Sequence, residues 1–236
     1  MGRIVSCRWL VNVCMTVAAL WSSSATVSAG EPHRCGCRCC STATSLAPVS
    51  WVSMRNEHVV LQKYDYSCGA GALATLLTYY WNDSTGEGDI LWDLHRYLSS
   101  ADLEDRVRNG LSITDLKNIS ELRGYRSIVG RLDSIQALAE VKVPVIVAIA
   151  TKAANHFVVV RGVVGSEVYL ADPTRGNIRM PVEEFATTWI QGAVLVVLHK
   201  DLDVNPAARM TIPFRELDPQ YANRQYTRRM INQYLP

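Results

Sequence analysis

The chain has 236 residues, 48% of them apolar and 19% charged, with a formal net charge of +2. That describes a globular chain with a full core, of one ordinary domain with appendages or at most two small ones. Residues 1–29 hold two arginines and no acid, so without them the formal charge is zero and there is no electrostatic reason to expect a nucleic-acid partner.

The first segment explains part of the apolar fraction. Arg3 and Arg8 form a positive start, Trp9 to Trp21 an apolar run, and Val27-Ser28-Ala29 fits the small-residue cleavage rule. The apolar run is short for a bilayer span and no stop-transfer pattern follows. Residues 1–29 therefore read as a secretory signal peptide, with an uncleaved membrane anchor as the alternative. The expected protein is exported, most readily to the periplasm, with no integral membrane domain after cleavage. The opening MGRIVS fits a myristoylation pattern only by chance, given the apolar run behind it.

Residues 30–50 follow as a cysteine-rich segment and linker. Cys35, Cys37, Cys39 and Cys40 crowd together there, too tightly for an ordinary tetrahedral zinc site. Disulfides, a soft-metal site, a redox or intermolecular tether and a variable tail all stay open. If the four pair among themselves and Cys7 and Cys14 leave with the signal peptide, Cys68 is the odd cysteine.

A domain is expected over residues 51–200. His58 to Leu61 is a short β-rich run. From Cys68, Leu73, Leu76, Leu77 and Tyr80 recur at helical spacing with alanines between, and Ser67 is placed to cap that helix. Further helical patterns run from Ile90 to Ser99, from Ile113 to Arg123 with Ser112 as cap and Gly124 at the C-cap, and from Asp133 to Val141. Then VPVIVAIAT, HFVVVRGVV, EVYLADP and GAVLVVLHK read as strands, with Gly165-Ser166 as a hairpin turn. Helices first and an antiparallel sheet second predict an α+β fold. Residues 201–236 form an extension ending in an amphipathic helix with Tyr221, Tyr226 and Tyr234, either a packing element or a docking motif.

Chemistry concentrates at Cys68. At a helix N-terminus the unpaired N–H groups favour the thiolate, although a buried core cysteine is the plain alternative. His156 opens the strand HFVVV and Asp172 closes the next one, so a hairpin about Gly165-Ser166 brings them together. The carboxylate then orients the imidazole. Gln62, six residues before Cys68, offers an amide that with the Cys68 N–H makes an oxyanion hole.

Gln62…Cys68-Gly69-Ala70, Pro144-Val145-Ile146, Asn155-His156-Phe157, Val168 to Pro173 and Trp189…Gly192 together resemble the bacteriocin-processing family of papain-like cysteine peptidases, which cleave leader peptides after a double-glycine motif. The likeness runs from about Val52 to Leu198. It implies a papain-like fold, with Cys68 as nucleophile, His156 as general base, Asp172 as its orienter, Gln62 in the oxyanion hole, and no cofactor or metal. Ser67 stands where the family usually has Asp. No transmembrane bundle or Walker motif accompanies the domain, so the chain resembles the stand-alone exported branch that accompanies secretion systems, including functional amyloid operons. Its expected partner is a peptide or protein substrate, such as a secreted fibre subunit or another component of the export system. A non-hydrolytic module that holds such a partner is the alternative, and acyl transfer on the same triad a third reading.

Overall fold

Residues 51–217, apart from 153, 202, 203, 206 and 207, are described by a computed structural model. The expected signal peptide, the Cys35–Cys40 cluster and the C-terminal amphipathic helix lie outside the described residues.

The β-branched runs become a six-stranded, wholly antiparallel sheet: β1 (Arg126–Arg131), β2 (Val145–Ala150), β3 (Asn155–Val164), β4 (Glu167–Asp172), β5 (Gly176–Pro181) and β6 (Trp189–Leu198), in the order β1-β6-β2-β3-β4-β5. Alternation along the central strands separates two apolar layers. Ile146, Val159, Ala171, Leu195 and Val197 join one core. Val145, Val147, Ile149, Val158, Val160, Val168, Leu170 and Val194 join the other, with Phe185 of helix α7 (Val182–Thr188) and Leu138 of α6 (Ile135–Glu140).

The first layer is covered by α2 (Cys68–Tyr79), whose residues Cys68 to Leu77 are all buried. A helix apolar all round belongs inside a protein, and small residues on this one admit close neighbours. Around it pack Ile90 and Leu94 of α3 (Glu87–Tyr97) and Leu116 and Ile119 of α5 (Ile113–Leu122). Ser112 caps α5 as expected, accepting from Asp115 N at 3.1 Å, and Gly124 takes the left-handed conformation (φ +87°).

Four features depart from expectation. His58 to Leu61 is not a strand; His58 closes a turn after α1 (Trp51–Arg55) with φ +58°, and an irregular connection follows, with Val60 N donating to Thr75 Oγ1 at 2.9 Å and Gln62 N to Pro173 O at 2.8 Å. A further helix, α4 (Ser100–Asn109), follows α3 and buries none of its residues, so it carries little apolar pattern to read. Strand β1 (RSIVGR) and strand β5 (GNIRMP) are the sheet's two edges, where polar and glycine residues break the apolar signal. Finally, α7 lies between the strands expected at EVYLADP and GAVLVVLHK, where the sequence pattern predicts no element.

The described C-terminal residues fold back over this body. The Arg161 guanidinium makes five hydrogen bonds, to Met210 O, Thr211 O, Asn177 Oδ1 and both oxygens of Glu216. Glu216 belongs to the one-turn helix α8 (Phe214–Leu217). Among the described residues, no helix is long and apolar enough to cross a membrane.

Candidate active site

Cys68 occupies the first turn of α2 and is 7% exposed. Ser67 sits at the N-cap, but its hydroxyl makes no capping bond; it turns instead to Tyr64 O (2.8 Å) and to the Glu87 carboxyl. The N–H groups of the helix's first turn have no intrahelical acceptor, so they remain to act on the sulfur and on whatever approaches it. Phe157 N donates to Cys68 Sγ at 3.5 Å. Burial alone pushes the Cys68 thiol up. Hydrogen bonds from the His156 side chain, Phe157 N–H and Gly69 N–H, with the nearby imidazolium charge, outweigh it and bring the thiol below its ordinary value.

His156 lies at the start of β3 and Asp172 at the end of β4, joined by the two-residue turn Gly165-Ser166. Pairing shifts by one residue at Arg161: Gly162 faces Tyr169, but Val160 faces Leu170. Continuing the shifted register sets Asp172 opposite Val158, on the side-chain face it shares with His156. Without the bulge, Asp172 would oppose Val159 and point to the other face.

His156 Nε2 contacts Asp172 Oδ1 at 2.8 Å. A carboxylate only accepts, so Nε2 carries the hydrogen and Nδ1 is left for the Cys68 sulfur. Asp172 is fully buried and takes three more donors: Thr174 N at 2.7 Å and Arg175 N at 3.2 Å on Oδ1, and Arg175 Nε at 2.6 Å on Oδ2. Burial by itself raises the Asp172 carboxyl, but the His156 and Arg175 hydrogen bonds and the backbone donor carry it down to about 2. Burial likewise lowers His156, while Asp172 and the Cys68 thiolate lift it to about 9. The arrangement favours an imidazolium against the Asp172 carboxylate at neutral pH and shifts Cys68 toward its thiolate.

Gln62 belongs to the same neighbourhood, through the loop carrying Asp172. Its Oε1 accepts from Thr174 Oγ1 at 2.9 Å and its Nε2 donates to Tyr64 O at 2.9 Å, leaving the second Nε2 hydrogen free to point elsewhere. Of the four residues singled out in the sequence, His156 and Asp172 thus fall at one end of the sheet, Cys68 in the first turn of α2 and Gln62 in the connection before it. Sequence reading missed Thr174, Arg175 and Glu87. For the first two a signal existed, because the carboxylate of an Asp at a turn accepts from N–H groups two and three residues on. Among the described residues, no group of three or more His, Cys, Asp or Glu side chains gathers to hold a metal ion.

Residues 56–201 match the model of the Peptidase C39 family. The chain is 35% identical over 149 residues to the "Probable functional amyloid protease FapD" of Pseudomonas aeruginosa, covering 63% of this chain and 64% of that one. It is 37% identical over 151 residues to the protein of the same name from Pseudomonas fluorescens, again 63% and 64%. The chain thus spans a little under two thirds of the length of these relatives. Among solved structures, a double-glycine-motif protease from an AMS/PCAT transporter, in complex with the leader peptide, superposes with a TM-score of 0.50 at 24% identity, over 60% of this chain and 91% of that one. The peptidase domain of Streptococcus ComA superposes with a TM-score of 0.51 at 18% identity, over 60% and 98%. The helices on an antiparallel sheet are those of a papain-like peptidase domain, as expected.

Proposed function

The chain belongs to the peptidase C39 family, and on that premise we propose that it is a cysteine peptidase hydrolysing a peptide bond in an exported protein. The observation that carries this reading is the unbroken series from the Cys68 thiol to His156 to the buried Asp172, with each group's proton affinity shifted toward the ion pair.

The Cys68 thiolate attacks the scissile carbonyl carbon, forming a C–S bond and placing the carbonyl electron pair on oxygen. The Cys68 N–H and the free hydrogen of Gln62 Nε2 receive that oxyanion. As the intermediate collapses, the C–N bond breaks and His156 Nδ1 gives its proton to the departing amine. Water then attacks the thioester while His156 takes its proton, the acid leaves, and the thiolate–imidazolium pair returns. Asp172 holds the imidazole in one tautomer throughout, and Arg175 and Thr174 hold Asp172. No step calls for a cofactor.

The relatives' name supports a substrate connected with functional amyloid, either a fibre subunit or another exported component, and the pattern of residues 1–29 supports a periplasmic location. A peptidase-like module that holds such a partner without cutting it is the competing reading. Two measurements separate them. Iodoacetamide alkylation of Cys68, followed by mass spectrometry of its peptide, is expected to stay fast well below the ordinary thiol value of about 8.5 and to slow in His156→Ala. Exported proteins from cells carrying the unaltered chain are expected to show a cleaved peptide bond that stays intact with Cys68→Ala. Ordinary thiol behaviour together with identical exported proteins would sink the peptidase reading in favour of the binding module.

A further inference from the structure

Glu87 opens α3 and is 3% exposed, yet it takes no part in the series from Cys68 to Asp172. A carboxyl at that depth is costly unless its oxygens are satisfied, and here only one is. Oε1 accepts from Lys63 N at 2.9 Å and bonds the Ser67 hydroxyl. Oε2 is buried with no hydrogen-bond partner. A helix N-terminus favours an acid, but an acid serving only that purpose would point to water.

What Oε1 joins is informative. Lys63 directly follows Gln62, and Ser67 directly precedes Cys68. The loop between them is closed on itself by Ser67 N to Tyr64 O at 3.2 Å and Ser67 Oγ to Tyr64 O at 2.8 Å. One oxygen therefore grips both ends of the segment that separates the two oxyanion donors. Its own mount is firm: Ile90 and Leu94 of α3 are buried in the core, and Asp93 of the same helix pairs with Arg123 at 2.6 Å.

We propose that Glu87 is a positioning residue that sets the spacing between the Gln62 amide and the Cys68 N–H, and so assembles the oxyanion hole. This rests on the peptidase reading above. A residue needed only for packing would be an aliphatic one, with no orphaned oxygen to bury.

The test compares two reactions of the same sulfur in the full chain. p-Nitrophenyl acetate acylates Cys68 through a tetrahedral oxyanion: the C–S bond forms, the ester C–O bond breaks, and p-nitrophenolate leaves with the electron pair. Iodoacetamide alkylates Cys68 by direct displacement of iodide, with no oxyanion. Acylation is read as the p-nitrophenolate released beyond that from a Cys68→Ala chain, and alkylation by mass spectrometry of the Cys68 peptide across pH. Glu87→Leu and Ser67→Ala are expected to lower the acylation-to-alkylation ratio roughly tenfold or more, as misplaced reacting groups do, with the alkylation pH profile unmoved. Glu87→Gln keeps an acceptor oxygen and is expected to keep the ratio.

A folded Glu87→Leu or Ser67→Ala chain with an unchanged ratio would overturn the proposal. So would a parallel fall of both reactions, which marks a general structural loss. Ser67→Ala decides the matter if Glu87→Leu does not fold. If the unaltered chain's ratio is no higher than that of N-acetylcysteine, no oxyanion hole exists; the peptidase reading then fails and takes this proposal with it.

Discussion

Asp172 shows how much one buried side chain can organise. Its two oxygens take four donors, and one of them is the imidazole that faces Cys68. Replacing it with Asn keeps much of the shape but removes the charge that lifts His156 to about 9. The imidazolium then loses its proton at lower pH, and the Cys68 thiol, deprived of that cation, moves up toward its ordinary value. The pH window for the ion pair narrows from both sides. In Asp172→Asn the rising limb of Cys68 alkylation is expected to shift to higher pH. Peptide hydrolysis is expected to drop roughly a hundredfold or more, the scale of a lost acid–base arrangement, with its falling limb displaced below 9. An unshifted alkylation profile would mean that Asp172 does not govern the pair.

Among elements, α2 matters most, because it must bring Cys68 against the β3–β4 corner to within a few tenths of an ångström. Glycine makes that approach possible. A Cβ at Gly71 would stand 2.9 Å from Pro173 Cβ and 3.3 Å from Val60 O, and Pro173 directly follows Asp172. Alanine is worth about 1 kcal/mol over glycine inside a helix, whereas overpacking a tight contact costs about 1–3 kcal/mol. The rigid proline ring makes the second effect win. Gly71→Ala is expected to lower the chemical-denaturation midpoint and to slow Cys68 alkylation near neutral pH, because the first turn of α2 tilts away from His156. Faster or equal alkylation with higher stability would show that the corner yields freely.

Across the whole molecule, the site's charges make stability depend on pH. Asp172 is depressed to about 2, so its contribution is complete above the ordinary carboxyl value of about 3.9 and is lost as pH falls through about 2. His156 is raised to about 9, so its contribution is complete below about 6.5 and is lost as pH rises through about 9. Cys68 is lowered, so its contribution has the opposite sign to that of His156 and grows as pH climbs to the ordinary thiol range. In the unaltered chain the proton released by Cys68 opposes the one kept by His156, so stability falls less steeply with rising pH than His156 alone would make it. Cys68→Ala removes the opposing contribution, and its unfolding midpoint is expected to fall between about pH 6.5 and 8.5 relative to the unaltered chain. Parallel curves in the two chains would count against the coupled pair.

Most of the layout was legible along the chain for a simple reason: periodicity reports burial. Leu73, Leu76 and Leu77 announced α2, and the valine runs announced β2, β3, β4 and β6, because each buries most of what it presents. Where burial is slight or the strand is an edge, as in α4, β1 and β5, the pattern fades. The turn at Gly165-Ser166 was local chemistry and equally readable. That turn alone would have set Asp172 opposite Val159, on the wrong face; the extra residue at Arg161 corrects it, and the Arg161 side chain bonds Asn177, Met210, Thr211 and Glu216, which no local window contains. The same holds for Glu87, which precedes the helix expected from Ile90 and carried no signal of its own; only the fold lays it against Lys63 and Ser67. The residue types, the helices and strands that bury most of what they present, and a hairpin that carries His156 and Asp172 to the same end of the sheet follow from composition, spacing and turn chemistry, while the pairing of Cys68 with His156 was legible through the family resemblance. The face Asp172 points to, the depth at which it is buried and the carboxyl behind the Cys68 loop were decided only by tertiary structure, because each depends on contacts between residues distant along the chain.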